Sequence, residues 1–142
     1  MPVAREHLEE LRRLLQQADS SADYPLLAGL DLDAYLDKLL NRAEIVTIRD
    51  GERLQGFAAY YCNDLVSRVA FLSMMAVAPE ARGRGIGKRL LETFLADARR
   101  RGFRSCRLEV HPDNRVARQL YERNGFVARA RPGVLCLMER VL

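Results

Sequence analysis

The chain has 142 residues, 49% hydrophobic and 30% charged, with a formal net charge of +4. This is the size and composition of one globular domain, residues 1–142, and it excludes a disordered chain, a collagen-like repeat and a disulfide scaffold. No apolar run approaches the roughly 20 residues needed to cross a bilayer, and the early charges Arg5, Glu6, Glu9 and Glu10 do not suit a signal peptide, so no membrane partner and a cytoplasmic location are expected.

Leu8, Leu11, Leu15 and Ala18 recur at helical spacing and predict a first helix over 4–18. Ser20 to Gly29 reads as a loop. Asp31 is placed to cap a second helix with Tyr35, Leu36, Leu39 and Leu40 on its apolar side. Ile45–Arg49 and Leu54–Tyr61 predict a hairpin around Asp50-Gly51. Val69–Val77 predicts a third, largely apolar strand. A helix follows to about Arg101, with Ile86, Leu90, Leu91, Phe94, Leu95 and Ala98 on one face, and Gly102 stops it. Arg104–Val110 predicts a strand parallel to the third, closing a βαβ unit. Asn114–Asn124 predicts a short helix ended by Gly125. Phe126–Ala130 and Val134–Val141 predict two closing strands split by Pro132-Gly133. The order implies an α/β or α+β sandwich around one mixed sheet. Cys62, Cys106 and Cys136 are odd in number, widely spaced and set in apolar runs. They read as buried thiols of a reducing compartment, and no metal site is expected.

The chemistry concentrates at Arg82-Gly83-Arg84-Gly85-Ile86-Gly87-Lys88. Alternate glycines permit a sharp turn and a close backbone approach. The helix that follows offers unpaired N–H groups and a positive dipole end, which together suit a phosphate. Residues 82–104 hold eight of the 23 Lys and Arg but only two of the 19 acids. The positive field therefore fits a polyanionic small molecule better than a nucleic-acid surface, and no nucleic-acid partner is expected. A Walker A loop needs GxxxxGK(S/T); here the glycines are one residue short and Arg89 stands where Ser or Thr belongs. A dinucleotide fingerprint needs GxGxxG in the first βα turn; here the glycines read GxGxG after two helices and a hairpin.

The run fits Gln/Arg-x-x-Gly-x-Gly/Ala at every defined position. One βα unit later, Leu108-Glu109-Val110-His111-Pro112-Asp113-Asn114 through Gly125-Phe126 reads as LxVxxxNxxAxxLYxxxGF. Both motifs, at this spacing, resemble the GCN5-related N-acetyltransferase (GNAT) family over about residues 45–142. The resemblance implies a mixed, mostly antiparallel twisted sheet with helices on both faces. It departs from the family in lacking the usual N-terminal first strand, since Met1–Val3 is too short. The exposed sheet edge this leaves suggests a homodimer.

The resemblance also implies acetyl-CoA as cosubstrate. The N–H groups of Gly83, Arg84, Gly85, Ile86, Gly87 and Lys88 would cradle the pyrophosphate, with Arg82 supporting the loop. The strand Met75-Ala76-Val77 would lie beside the pantetheine arm, Asn114 would bond it, and Ala117 would leave it room. Tyr121 would sit near the sulfur and protonate the departing thiolate. Asn114 and Tyr121 are seven apart, so they share a helix face; a helix cap and a core aromatic are their structural readings. The implied reaction is direct acetyl transfer to the primary amine of a small molecule or a peptide, with the Val77 N–H facing the oxyanion. Glu109, His111, Asp64 or water is the base, because Ser73-Met74-Met75 carries no acid. Asp23, in Ser20–Pro25, is a candidate to attract the amine. A non-catalytic acetyl-CoA sensor and a longer acyl donor are the alternatives.

Overall fold

The computed structural model describes residues 7–22, 27, 30–129 and 135–142. Its elements are α1 (Leu8–Ser21), α2 (Leu32–Arg42), β1 (Glu44–Asp50), β2 (Arg53–Tyr61), β3 (Val69–Val77), α3 (Ile86–Arg100), β4 (Ser105–Val110), α4 (Arg115–Arg123), β5 (Val127–Arg129) and β6 (Cys136–Val141). The start of the first predicted helix, the Asp23–Pro25 segment and the Pro132-Gly133 turn lie outside the described residues.

Each local signal acts where expected, with shifted ends. Asp31 caps α2 by accepting from the Ala34 N–H at 3.2 Å. Helix α1 runs past Ala18 to Ser21, because the Ser20 and Ser21 hydroxyls donate back to the carbonyls of Gln16 and Ala18. The hairpin turn is Gly51-Glu52, with Asp50 facing Arg53.

Six strands form one sheet in the order β1-β2-β3-β4-β6-β5. All neighbours are antiparallel except β3 and β4, which run parallel across the α3 crossover. Among the described residues no strand precedes α1, and β1 has a strand on one side only. This is a mixed α/β fold with an open, mostly antiparallel sheet.

Alternate residues of β2 point to opposite faces, yet Gly56 through Tyr60 are all buried, so both faces are covered. On one face α3 buries Ile86, Leu90, Leu91, Phe94, Leu95 and Ala98. Each large side chain among them stabilises by roughly 1.5–3 kcal/mol. A Cβ on Gly56 would lie 3.0 Å from Ile86 Cγ2 and 3.0 Å from the Ala76 carbonyl, so the missing side chain lets α3 lie close on the sheet. On the other face α1 and α2 bury Leu11, Leu14, Leu15, Leu36 and Leu39.

Candidate active site

The parallel ladder of β3 and β4 stops early. It pairs Val69 with Ser105 and ends at Leu72 with Leu108, although β3 continues to Val77 and β4 to Val110. Ser73 is the reason on the β3 side. Ala59 of β2 faces Met74 and Tyr60 faces Leu72, so Ser73 is an extra residue and the strand bulges. Bulges bend a strand and increase its twist. Beyond this point β4 follows β6, pairing Glu109 with Leu137 and Val110 with Cys136.

The split leaves backbone groups of β3 without a strand partner on one side. The Ala78 N–H donates to the Gln55 carbonyl on β2 at 2.8 Å. Successive N–H groups of a strand point to opposite edges. Met75 and Val77 therefore direct their N–H and C=O groups into the gap, whereas Ala76 turns toward β2, where it faces Phe57. Of the three strand residues expected to meet a cofactor, two face the opening and Ala76 does not.

The glycine loop closes one end of this region. Gly83 and Gly85 hold φ of +79° and +75°. A Cβ on either would meet nothing within 4 Å, so these two serve backbone conformation and leave open space above the loop. Gly87 serves packing instead. A Cβ there would lie 3.3 Å from Leu120 Cδ2, so its small size lets α4 pack on the start of α3. Ile86 is a buried core residue whose N–H alone serves the helix end. Arg82 donates to Ser21 Oγ at 3.0 Å and ties the loop to α1. Arg84 and Lys88 are exposed, and Lys88 stands 3.8 Å from Glu92.

The basic run is divided by the fold. Arg82, Arg84, Lys88 and Arg89 gather at the start of α3, while Arg99, Arg100 and Arg101 lie about 20 Å away at its far end. Two of the latter are ion-paired: Arg100 with Asp97, and Arg101 with Asp97 at 3.1 Å and Glu44 at 3.3 Å. Only the first group can serve a phosphate at the loop.

Between the split strands lies a cleft of about 350 Å³. Ser73, Met75, Glu109, His111, Asn114 and Tyr121 all line it, as do Leu30 and Leu135, so residues 105 positions apart share one cavity. Asn114 Oδ1 accepts from the Ala117 N–H at 3.2 Å and caps α4, which leaves its amide NH₂ as the group a ligand can engage. Ala117 lies on the same helix, half-buried. Tyr121 is 6% exposed and packs against Phe126 with ring centroids 5.8 Å apart. Both the structural and the ligand-facing readings of Asn114 and Tyr121 thus fit the same geometry.

The three side-chain base candidates separate. Glu109 is half-buried in the cleft wall. His111 also lines the cleft, but its Nδ1 accepts from the Asp113 N–H at 3.1 Å. Asp64 is not brought to the cleft. It accepts from the Val66 and Ser67 N–H groups at 3.1 and 3.0 Å, closing its own turn before the paired end of β3. Hydrogen bonds from Ser67 hold its carboxyl below the ordinary range.

One cleft pair has no counterpart among the sequence candidates. The hydroxyls of Tyr35 and Ser73 are 2.7 Å apart, and Tyr35 Oη lies 3.3 Å from the Ser73 carbonyl. Burial pushes the Tyr35 hydroxyl up, only partly offset by Ser73. The sequence signals were a tyrosine on an apolar helix face and one serine inside an apolar strand.

The fold thus sets a parallel strand pair that parts beside a glycine loop opening a helix. A model of the Acetyltransferase (GNAT) family matches residues 7–126, and the chain belongs to that family. It is 38% identical over 140 residues to N-alpha-acetyltransferase 30 of Schizosaccharomyces pombe, covering 89% of this chain and 81% of that protein. It is 33% identical over 100 residues to the uncharacterized N-acetyltransferase YhfO of Bacillus subtilis, covering 66% of each. With the mycothiol acetyltransferase of Geodermatophilus obscurus it shares 42% identity over 57 residues, 40% of this chain but only 18% of that protein. The fold matches PaiA N-acetyltransferase of Thermoplasma acidophilum in complex with coenzyme A, with TM-score 0.81 and 22% identity over 100% of this chain and 97% of that one. It also matches a ribosomal-protein-alanine N-acetyltransferase of Brucella melitensis, with TM-score 0.78 and 19% identity over 100% and 98%.

Proposed function

We propose that residues 1–142 act as one domain that transfers an acetyl group directly from acetyl-CoA to the primary amine of a small molecule. The observation that carries this is the parting of β3 and β4 after Leu72 and Leu108, beside the loop that starts α3. The loop N–H groups from Gly83 to Lys88 hold the pyrophosphate, with Arg82 as their brace. The Met75 and Val77 backbone groups and the Asn114 amide hold the pantetheine arm. A family structure holding coenzyme A supports this assignment.

The chemistry then falls to three groups. A lysine-like amine has a pKa near 10.4 and arrives protonated, so a base must take its proton; Glu109 takes it, directly or through water. The N–C bond forms as the Val77 N–H stabilises the oxyanion. The C–S bond breaks as Tyr121 gives its proton to the thiolate. Direct transfer agrees with the thiols. Burial pushes Cys62 up to about 11 and Cys106 up to about 12, so both stay protonated and non-nucleophilic at neutral pH. The free thiols also support a reducing, cytoplasmic setting.

The likeness to N-alpha-acetyltransferase 30 favours a second acceptor, a peptide amino terminus. Thiol detection of CoA release across small amines and peptides tests both. Acetyl-CoA binding without release for any amine would instead mark a sensor.

A further inference from the structure

We infer that Tyr35 is a positioning residue for the cofactor: through Ser73 it holds the β3 bulge in place and so selects which backbone groups of β3 face the gap. The inference rests on the acetyl-CoA reading above. Ser73 is the extra residue of its strand. The β2 register passes from Leu72 to Met74, and the β4 ladder ends at Leu72, so Ser73 has no facing residue on either side. An interior backbone group at such a position needs a partner from outside the sheet. Tyr35 of α2 supplies one. Its Oη lies 3.3 Å from the Ser73 carbonyl and 2.7 Å from Ser73 Oγ. Each hydroxyl has one proton, and both contacts are satisfied at once when Ser73 donates to Tyr35 and Tyr35 donates to the carbonyl. One phenol then grips both the side chain and the main chain of the bulge.

The grip comes from a fixed element. Leu36 and Leu39 of the same helix are fully buried. Asp31 caps its first turn, and Asp33 pairs with Arg12 of α1 at 2.7 Å. The strand is the part that slips if released. With the extra residue at Ser73, Val77 faces Gly56 and Ala76 faces Phe57. Without it, Ala76 would face Gly56. A one-residue slip exchanges the two edges of a strand as it exchanges its two faces. Met75 and Val77 would then turn their N–H and C=O groups to β2, and Ala76 would turn to the gap. The row of groups that meets the pantetheine arm would move by one residue, about 3.3 Å along the strand.

The test measures the acetyl-CoA dissociation constant by calorimetry and the melting temperature of each variant. Tyr35→Phe keeps the ring and removes the hydroxyl. It should weaken acetyl-CoA binding by about tenfold, and Ser73→Ala should do the same. The double variant should bind no more weakly than the worse single one, because both substitutions remove one contact. Leu95→Val trims a buried side chain of α3, on the opposite face of the sheet, and lowers the melting temperature through packing alone. Its affinity should stay within about twofold of wild type, which separates positioning from a general loss of stability. Wild-type affinity in Tyr35→Phe overturns the positioning role and leaves the cofactor reading standing. Losses that multiply in the double variant overturn it too, as does an equal loss of affinity in Leu95→Val. A wild-type protein that binds no acetyl-CoA overturns the cofactor reading and the positioning role with it.

Discussion

Leu72 and Leu108 are the last residues at which β3 and β4 face each other. One residue later Ser73 bulges out of register with β2, and its hydroxyl meets Tyr35 of α2 at 2.7 Å. The same few residues thus end the ladder, open the cleft and anchor a helix beside it. Closing that gap would give Met75 and Val77 a strand partner on both sides and make them ordinary ladder residues.

Tyr121→Phe keeps the ring that packs on Phe126 and removes only the hydroxyl. We expect kcat to fall by about 10²-fold, the lower end for loss of a positioned acid. Acetyl-CoA affinity, read by calorimetry, should change less than threefold by the same reasoning, roughly 0.6 kcal/mol. An unchanged kcat would remove Tyr121 from the chemistry.

Glu109→Gln keeps the shape of the cleft wall and removes the proton acceptor. Amine-dependent kcat/KM should fall by about 10²-fold, with acetyl-CoA binding retained. His111→Gln should cost much less, because His111 Nδ1 is already committed to the Asp113 N–H. The reverse ranking in steady-state kinetics would move the base to His111.

Gly85→Ala forces a side chain into φ +75° without filling any contact. The left-handed conformation costs an L residue roughly 1–2 kcal/mol. The loop should relax to avoid it, and calorimetric affinity for CoA should drop by about tenfold. Gly87→Ala acts differently, pushing on Leu120 Cδ2 at 3.3 Å, and should lower the melting temperature more than the affinity.

Glu10 accepts hydrogen bonds from Arg49 at 2.8 and 2.9 Å and is paired with His7. The Arg49 guanidinium first, then His7, lower its carboxyl from 4.5 to about 2. A depressed carboxylate stabilises above its unfolded pKa and loses that contribution as pH falls through the folded value. The pair is a third exposed, so its worth is under about 1 kcal/mol. Glu10→Gln should melt slightly below wild type at neutral pH, and the gap should close between pH 4.5 and about 2.

Strand β1 has β2 on one side and no strand on the other among the described residues. We propose that a second copy of the chain covers this edge. Sedimentation at high concentration should show a dimer, and Thr47→Pro, on the edge strand, should weaken it. A monomer throughout would leave the edge to water.

Much of the fold was legible because its signals are local. The six apolar positions of α3 fall on one face, and all six are buried as their spacing required. Asn114 caps α4 and Asp31 caps α2, each a contact three residues long. The glycine loop and the Asn114–Tyr121 spacing likewise lie within single turns or helices, so their chemistry could be read along the chain.

Tertiary structure decided what depends on distance in space. Ser73 is one polar letter in an apolar strand, and only the β2 register makes it a bulge. Tyr35 reads as a core helix residue until α2 is laid against that bulge. Asp64 and Glu109 are equal as carboxylates in a sequence; the first spends its oxygen on its own turn, and the second lines the cleft. By itself the sequence determined which ligand chemistry the loop suits, because backbone conformation and helix-end charge are local properties. Which side chains share the cleft was decided by strand register and helix packing, which sum interactions among residues far apart in the chain.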